Sequence, residues 1–345
     1  MKLVRTEDAV GQVLCHDITQ IIPGVVKDAV FRKGHIVTEE DIPVLLSVGK
    51  ENLYIWEKQE GMLHENEAAE ILRQICQGEH MHPSEVKEGK IELIADCEGV
   101  LKINTEKLNA VNNLGEMMIA SRHGNFPVKT GDKIAGTRII PLVIEEEKMQ
   151  KACEVAGKEP IFRILPYQKK KAGIVTTGSE VYYHRIEDKF TPVVIEKLKE
   201  CGVTEVKQIQ CNDDHEMIME AIQTLIEDGS DLIVCTGGMS VDPDDRTPLA
   251  IKNACTEVVT YGAPVLPGAM FMLAYCEKEG RQIPVMGLPG CVMYAKRTIF
   301  DLVLPRIMCD EKLHEKDFRL LGQGGLCLSC PVCTFPNCGF GKGGY

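Results

Sequence analysis

The stretch that decides the fold spans residues 231–248 and reads DLIVCTGGMSVDPDDRTP. Residues 231–236 form a short apolar run, which is typical of a buried strand. Two glycines follow, and a glycine backbone can approach a ligand closely. After a loop with three aspartates, Thr247-Pro248 predict a new helix, with Thr as the N-cap and Pro at the first helical position. A strand, a glycine loop and a helix N-terminus in this order favour an anion-binding site. Because the acids of the loop would repel a bare phosphate, a metal ion or a neutral ring could share this site.

Apolar runs alternate with helical patterns on both sides of this stretch. Strands are predicted at Ala172–Thr176, Val203–Gln210, Asp231–Thr236, Glu257–Tyr261 and Ile283–Leu288, and helices from Thr191, from Asp213 or Asp214, from Thr247, and from about Cys291 to Leu304. This alternation predicts the α/β class, with a mostly parallel sheet in a three-layer domain that has helices on both faces.

Four loops follow predicted strands and precede predicted helices. They are Thr177–Glu180, Cys211–Asp214, Gly237–Asp245 and Leu288–Cys291. Because sheets of this class bind ligands at the carboxyl ends of their strands, we expect the four loops to meet at one edge and form a site.

The patterns along the chain divide it into four segments. We predict an α+β segment at 1–85, a β-rich accessory unit at 86–165, the α/β domain at 166–310 and a cysteine-rich tail at 311–345. His64, Cys76, His80 and His82 could be grouped as a metal site, but their spacing fits no standard ligand set, and we interpret them as scattered surface residues.

Composition limits the class of protein. The chain has 345 residues and a formal charge of −12, from 39 basic and 51 acidic residues, which argues against a general nucleic-acid binder. No run approaches the roughly 20 apolar residues of a membrane helix, and the N-terminus lacks a signal-peptide core. We therefore expect a cytoplasmic protein without a membrane partner. Its fifteen cysteines indicate a reducing compartment and metal chemistry rather than a disulfide framework.

Four cysteines of the tail have the spacing C-x2-C-x2-C-x4-C. Cys327, Cys330, Cys333 and Cys338 are close enough in sequence to surround a tetrahedral zinc or an iron–sulfur cluster, and the spacing does not choose between them. The alternative is a disordered tail with reactive thiols. Since residues 322–345 show no apolar periodicity, we expect their removal to leave the rest of the chain folded.

The motifs of the four loops resemble the molybdopterin-binding domain of molybdenum-cofactor biosynthesis proteins, in the molybdopterin molybdotransferase branch. The resemblance extends from about Lys171 to Met308, and the segments Gly34–Trp56 and Lys90–Ile144 look like the accessory segments of that branch. The matching motifs are Thr176-Thr177-Gly178-Ser179-Glu180, Asp213-Asp214, Thr236-Gly237-Gly238-Met239-Ser240 with Asp245 and Thr247, and Gly287-Leu288-Pro289-Gly290.

The resemblance implies a role for each of these positions. Gly237, Gly238 and Ser240 would contact a pterin–phosphate ligand through backbone and hydroxyl groups. Asp245 and Asp213 would have catalytic roles, serving a divalent cation such as Mg²⁺ or the activated phosphate. The other cofactor-binding positions would be Thr177, Gly178, Glu180, Thr236, Leu288, Pro289, Gly290 and Cys291.

The sequence departs from the family pattern at two positions. A proline-glycine-lysine motif of the family is Pro267-Gly268-Ala269 here, which removes a basic group suited to molybdate. The residue after Leu-Pro-Gly, usually asparagine, is Cys291, a thiol that could be a soft ligand. At a helix N-terminus this thiol should have a lowered pKa, although it could also be only packed.

Each acid and glycine of the loops also has a purely structural interpretation. Asp213 with Glu216 three residues later forms a capping-box pattern. Asp242, Asp244 and Asp245 lie where turns favour acids, and the two glycines at 237–238 could form only a tight turn.

Three functions remain open from the sequence. The first is a carrier that binds molybdopterin or the finished cofactor and delivers it to an acceptor molybdoenzyme, which Ala269 and the tail favour. The second is an active molybdotransferase that inserts molybdenum from molybdate into adenylylated molybdopterin. The third is a nucleotide pyrophosphatase of the same fold. Relatives of the branch suggest a homodimer.

Overall fold

The computed structural model describes residues 2–22, 26–55, 60–243 and 245–343 of the chain. The chain divides into two compact units. Unit 1 comprises Met1–Asp96, Ile103–Arg122 and Thr130–Arg163, and unit 2 comprises Cys97–Lys102, His123–Lys129 and Ile164–Tyr345. The four-part division drawn from the sequence stays a prediction.

Short strands and four helices make up the described chain before residue 167. The strands are β1 (Lys2–Arg5), β2 (Ile18–Ile22), β3 (Val26–Phe31), β4 (Asn52–Ile55), β5 (Met62–His64), β6 (Met81–Pro83), β7 (Lys90–Ala95), β8 (Gly99–Ile103), β9 (Met117–Ser121), β10 (Pro127–Val128), β11 (Lys133–Ile139), β12 (Val143–Glu145) and β13 (Phe162–Pro166). The helices are α1 (Asp41–Ser47), α2 (Glu65–Cys76), α3 (Thr105–Asn112) and α4 (Glu146–Ala156), with a 3-10 turn at Thr6–Asp8.

These strands form several small sheets. Unit 1 contains the antiparallel pairs β1–β4, β2–β3 and β5–β12 and a four-stranded sheet in the order β6-β7-β11-β9. A further sheet has the order β10-β8-β13.

The interpretation of His64 and Cys76 as surface residues is also wrong. His64 is buried and caps α2, where its Nδ1 accepts from the Asn66 amide and its Nε2 donates to the Cys15 carbonyl at 2.8 Å. Burial lowers the pKa of His64, and burial raises the pKa of Cys76 to about 12. These two side chains therefore have structural explanations.

Unit 2 is built around a six-stranded sheet. Its elements are β14 (Lys171–Thr176), α5 (Ser179–Tyr182), α6 (Phe190–Glu200), β15 (Glu205–Gln210), α7 (His215–Glu227), β16 (Leu232–Thr236), α8 (Thr247–Ala254), β17 (Glu257–Tyr261), β18 (Met272–Lys278), β19 (Arg281–Leu288), a 3-10 turn at Gly290–Met293, α9 (Ile299–Met308) and α10 (Glu315–Arg319). The strand order is β15-β14-β16-β19-β18-β17, in which the first four strands are mutually parallel and β18 and β17 are antiparallel to their neighbours. The mixed α/β class is thus confirmed.

The two faces of the sheet supply separate hydrophobic clusters. Along β16, Leu232 and Val234 point into one cluster, with side chains of α6 and α9, whereas Ile233 and Cys235 point into the other, with side chains of α7 and α8. This alternation follows from the two-residue period of a strand. It explains why all five residues of β16 are buried.

The last long helix begins later than predicted. A helix from Cys291 is wrong, because a 3-10 turn ends at Met293 and α9 begins at Ile299. Thr298 is its N-cap and forms a capping box with Asp301, a side chain that also accepts from Lys197 at 2.6 Å.

The tail is joined to the core of unit 2. Phe340 is 4% exposed and belongs to the cluster on the α9 face, against which Phe335, Cys327 and Cys338 also pack. A methyl group placed on Gly325 would lie 2.3 Å from the Pro264 carbonyl oxygen. The expectation that residues 322–345 can be removed without effect on the fold is therefore wrong, because the tail packs on the core of unit 2.

No helix in the described parts of the chain is long and apolar enough to span a bilayer.

Candidate functional site

Four loops leave the sheet of unit 2 at one edge, as predicted. The last residues of the parallel strands are aligned across the sheet, where Thr176 is opposite both Gln210 and Thr236, and Thr236 is opposite Leu288. Parallel strands end on the same side, so the segments after these four residues start side by side.

Thr177 holds the first loop against the glycine loop. Its amide and its hydroxyl both donate to the Thr236 carbonyl, at 2.8 and 3.1 Å, and its hydroxyl lies 3.1 Å from that of Thr247. All three threonines are buried. Thr247 is the first residue of α8 and Arg246 occupies the N-cap position without a side-chain bond, so the prediction of a Thr247 cap is wrong. Its hydroxyl bonds across the site instead of capping its own helix.

The two glycines of the central loop are required by this packing. Gly237 and Gly238 have φ of 88° and 55°. A methyl group on Gly237 would lie 2.3 Å from the Thr177 carbonyl oxygen, and one on Gly238 would lie 2.9 Å from the Thr247 hydroxyl. The positive φ and the close neighbours explain both glycines without a ligand.

Asp213 links the first and second loops. Its Oδ2 accepts from the Ser179 amide at 2.8 Å, whereas the N-cap of α7 is Asp214, whose Oδ1 accepts from the Met217 amide at 3.0 Å. The interpretation of Asp213 and Glu216 as a capping box is therefore wrong. Asp213 is half-buried between the loops, and in the described parts of the chain its other carboxylate oxygen accepts no hydrogen bond.

Asp245 closes the glycine loop. Its amide donates to the Asp242 carbonyl at 2.9 Å, and its side chain lies near Gly238. Tyr261 donates its hydroxyl to the Met239 carbonyl at 3.2 Å, and the pKa of this tyrosine is raised by burial and by the charge of Asp245. Ser240 is exposed beside them, and Asp244 lies outside the described residues.

The remaining predicted positions differ in their exposure. Glu180 is exposed, but its carboxylate turns back towards Gly178. Leu288 and Pro289 are buried, and Gly290 is exposed at the turn. Cys291 lies in this turn rather than at a helix N-terminus, and burial raises the pKa of its thiol, so the predicted lowering is wrong.

Thr236 carries an unusual buried group. Its hydroxyl oxygen is buried and has no hydrogen-bond partner among the described residues. Buried polar atoms are nearly always paired, so a single unpaired hydroxyl at the end of the central strand needs an explanation.

The sequence did not reveal a polar network beneath the first loop. Gln208 donates to the Thr176 hydroxyl and to Asp188, and Asp188 accepts from the amides of Phe190 and Thr191. Burial acts to raise the pKa of Asp188, but these hydrogen bonds outweigh it and leave the pKa lowered. An aspartate three residues before Thr191 was a sequence signal for this helix start.

The site carries more acid than base. Glu180, Asp213, Asp242 and Asp245 lie on its loops. In the described parts of the chain, no three His, Cys, Asp or Glu side chains are gathered closely enough to hold a single metal ion.

The four tail cysteines are arranged at a second place in unit 2. Cys327 and Cys338 are half-buried against the core, and Cys330 and Cys333 are exposed. All four line one cavity. The loops of the sheet edge do not contribute to that cavity.

Comparison with known proteins identifies the domain that contains the loops. Residues 173–308 match the family described as a probable molybdopterin binding domain, and residues 3–57 match a family described as a domain of unknown function. CinA-like proteins are similar over a shorter stretch. The one from Mycobacterium tuberculosis is 35% identical over 85 residues, 25% of this chain and 20% of that protein, and the one from Mycobacterium avium is 34% identical over 95 residues, 28% and 22%. The chain thus spans about a fifth of the length of these relatives.

Similar solved structures include two proteins of cofactor synthesis. The tungsten cofactor synthesizing protein MoaB from Pyrococcus furiosus is 23% identical, with a TM-score of 0.32 over 36% of this chain and 84% of that one. A molybdopterin biosynthesis protein from Mycobacterium abscessus is 18% identical, with a TM-score of 0.34 over 41% and 92%.

Proposed function

We propose that the α/β domain binds molybdopterin or the molybdenum cofactor at the edge where the four loops meet, as part of the biosynthesis, handling or delivery of this cofactor. One observation carries the proposal: the segment that matches a probable molybdopterin binding domain, residues 173–308, contains all four loops. Their alignment at one edge of the sheet supports a single site.

The ligand is proposed to lie on the exposed side of the glycine loop. Ser240 would offer its hydroxyl and backbone amide there, and the exposed Gly290 would bring the last loop to the same ligand. Gly237 and Gly238 act indirectly in this proposal, because they allow the loop to pack on Thr177 and Thr247. Leu288, Pro289 and Cys291 would shape the wall.

Substitution of an exposed residue tests this position without disturbing the packing. In Ser240→Phe the ring would stand on the proposed ligand surface, so we expect molybdopterin affinity to fall about tenfold or more. Ser121→Phe, at an exposed serine of unit 1, is the matched control. Binding would be measured by fluorescence titration under anaerobic conditions. Equal affinities of both variants and the unaltered protein would show that the ligand does not bind at the glycine loop.

A cation is proposed to accompany the phosphate of the ligand. Asp245 and Asp213 would otherwise repel it, and carboxylate oxygens suit Mg²⁺, which keeps several waters and needs few protein ligands. One oxygen of Asp213 already holds the Ser179 amide, so its other oxygen is the one proposed to serve the cation.

The carrier and the transferase predict different effects of a substitution at Asp245. Asp245→Asn keeps the shape of the side chain and removes its charge. In a transferase it should lower Mg²⁺-dependent release of AMP from adenylylated molybdopterin roughly 100-fold in the presence of molybdate. In a carrier, binding should stay unchanged or become tighter because repulsion is relieved. Asp242→Asn, an exposed acid in the same loop, is the control for a general effect of charge.

We favour the carrier, because Ala269 stands where the resembled family has a lysine. The protein therefore lacks, at this position, a basic group suited to molybdate. Molybdate-dependent AMP release that disappears in Asp245→Asn would instead establish the molybdotransferase. Hydrolysis of dinucleotides without any pterin would establish the pyrophosphatase.

Two partners belong to the carrier proposal. A carrier would pass its ligand to an acceptor molybdoenzyme, which would be seen as activation of an apo-molybdoenzyme by the loaded protein. A homodimer is proposed as the working state, to be tested by analytical ultracentrifugation of the full chain.

A further inference from the structure

The tail and the α/β domain of unit 2 together line an open cavity of about 570 Å³. All four cysteines of the C-x2-C-x2-C-x4-C run line it. The opposite wall is formed by Pro267 and by residues 294–297, which connect the 3-10 turn to α9. A flexible tail with scattered thiols would not place four cysteines around one space.

Backbone hydrogen bonds fix the first part of the tail. The Leu266 amide donates to the Gly325 carbonyl and the Cys327 amide donates to the Leu266 carbonyl, both at 2.8 Å, as in a short parallel bridge. Cys327 is thereby fixed at the edge of the domain. Lys296 donates from its Nζ to the Pro331 carbonyl at 2.8 Å, which holds the loop that carries Cys330 and Cys333.

Aromatic packing fixes the last part. The half-buried Phe335 and the buried Phe340 flank Cys338 in the sequence; their ring centroids are 6.2 Å apart, and both side chains pack on the core. The Gly341 amide donates to the Gly324 carbonyl at 2.9 Å, which closes the tail into a loop. The four cysteines are therefore held by the fold at separate points around the cavity.

The volume of the cavity favours a cluster over a single ion. Four sulfurs bound at ~2.3 Å to one zinc lie about 3.8 Å from one another and leave no cavity between them. Here the four cysteines line a cavity of about 570 Å³, which is far larger than the space that one ion takes up. A cube of four irons and four sulfides, by contrast, has a cysteine at each iron corner and fills a cavity.

We infer that Cys327, Cys330, Cys333 and Cys338 bind a [4Fe–4S] cluster in this cavity. The three cysteines at two-residue spacing form one loop around the cluster, as in ferredoxin runs, and Cys338 supplies the fourth corner from the folded end of the tail. Each thiol releases its proton to solvent when its sulfur binds iron.

Charge at the cavity suits such a cluster. Four thiolates give a cubane a net negative charge, and Lys296 and Arg297 both line the cavity. Arg297 is held in place by Glu200 and Asp301, at 2.9 and 2.8 Å, and its guanidinium lies over the Phe335 ring.

The experiment uses the full chain, prepared without oxygen and reconstituted with ferrous iron and sulfide. We expect about four irons and about four sulfides per chain, broad visible absorption, and a paramagnetic signal after reduction with dithionite. Cys330→Ala with Cys333→Ala should lose this iron, the absorption and the signal. These two thiols are exposed and do not belong to the core, so the double variant should stay folded.

Cys153→Ala is the matched control, because Cys153 is another exposed cysteine and lies on α4 of unit 1. It should retain all of the iron. About one zinc and no iron per chain, or equal iron in the double variant and the control, would overturn the inference. Circular dichroism of each variant would show that an absence of iron does not reflect an unfolded chain. The result is independent of the proposed pterin site, since none of the four cysteines is placed there.

Discussion

Two threonine-to-valine substitutions at the sheet edge should change stability in opposite directions. Thr177→Val removes a hydroxyl that donates to the Thr236 carbonyl at 3.1 Å and lies 3.1 Å from the Thr247 hydroxyl. Thr236→Val removes a hydroxyl that has no hydrogen-bond partner in the described chain. Both side chains are buried, so each valine has nearly the shape of the residue it replaces.

The magnitudes follow from what each hydroxyl contacts. Thr177→Val leaves the fully buried Thr247 hydroxyl without that partner, and such a loss costs about 1–3 kcal/mol of the free energy of unfolding. Thr236→Val removes an unpaired buried hydroxyl, whose desolvation already destabilises the fold, and should stabilise the protein by about 1 kcal/mol. The two variants should therefore differ by about 2–4 kcal/mol.

Urea unfolding followed by circular dichroism would measure both changes. Thr224→Val, at an exposed site on α7, is the control and should stay within about 0.5 kcal/mol of the unaltered protein. If Thr177→Val proves neutral, or Thr236→Val destabilises the protein by more than about 1 kcal/mol, our account of this edge is refuted. A Thr236→Val protein that is stable but binds molybdopterin weakly would show that the unpaired hydroxyl serves the ligand.

Three further predictions concern packing and charge in unit 2. Phe340→Ala should lower the free energy of unfolding by about 3 kcal/mol, because the ring is buried in the core. Unchanged urea unfolding would show that the tail does not contribute to stability. Gly237→Ala should cost at least about 2 kcal/mol or prevent folding, since φ is positive and the methyl group would meet the Thr177 carbonyl; a soluble, equally stable variant would contradict this. Burial acts to raise the pKa of Glu311, but hydrogen bonds from Arg306 outweigh burial and lower this pKa. The ion pair therefore stabilises the fold above pH 4.5, the ordinary pKa of a glutamate, and this stabilisation is lost as the pH falls below 4.5 through the lowered pKa. Glu311→Gln should therefore lose stability at pH 7 and show a weaker dependence on pH below 4.5, and identical pH profiles of thermal unfolding would exclude the linkage.

The sequence determined the elements that local pattern specifies. Short strand-like runs marked five of the six strands of the sheet, and the acids at 213–214 marked the start of α7. Because strands that alternate with helices run parallel, the order of these elements was enough to predict that four loops meet at one edge. The strand β18 was missed, since its antiparallel pairing with β19 depends on a hairpin at residues 279–280 that the βα pattern does not contain.

Side-chain partners were decided only by the tertiary structure. Asp213 could cap its own helix by local spacing, but it bonds to Ser179, 34 residues away, because β14 and β15 are neighbours. Thr247 likewise bonds to Thr177, 70 residues away, rather than to its own first turn. In both cases a polar side chain near a helix start had two kinds of partner, and only the placement of the adjacent loop selected one.

The tail shows most clearly the difference between what the sequence determined and what only the tertiary structure decided. The spacing of its cysteines predicted a metal ligand set, and that information is local. Its lack of apolar periodicity suggested independence from the core, and this was wrong because single residues, above all Phe340, enter a cluster that other elements build. Periodicity reports the burial of a whole helix or strand face, whereas an irregular segment is held by isolated anchors and backbone bonds such as that from Cys327 to Leu266. Such anchors have no sequence period, so only the folded chain reveals them.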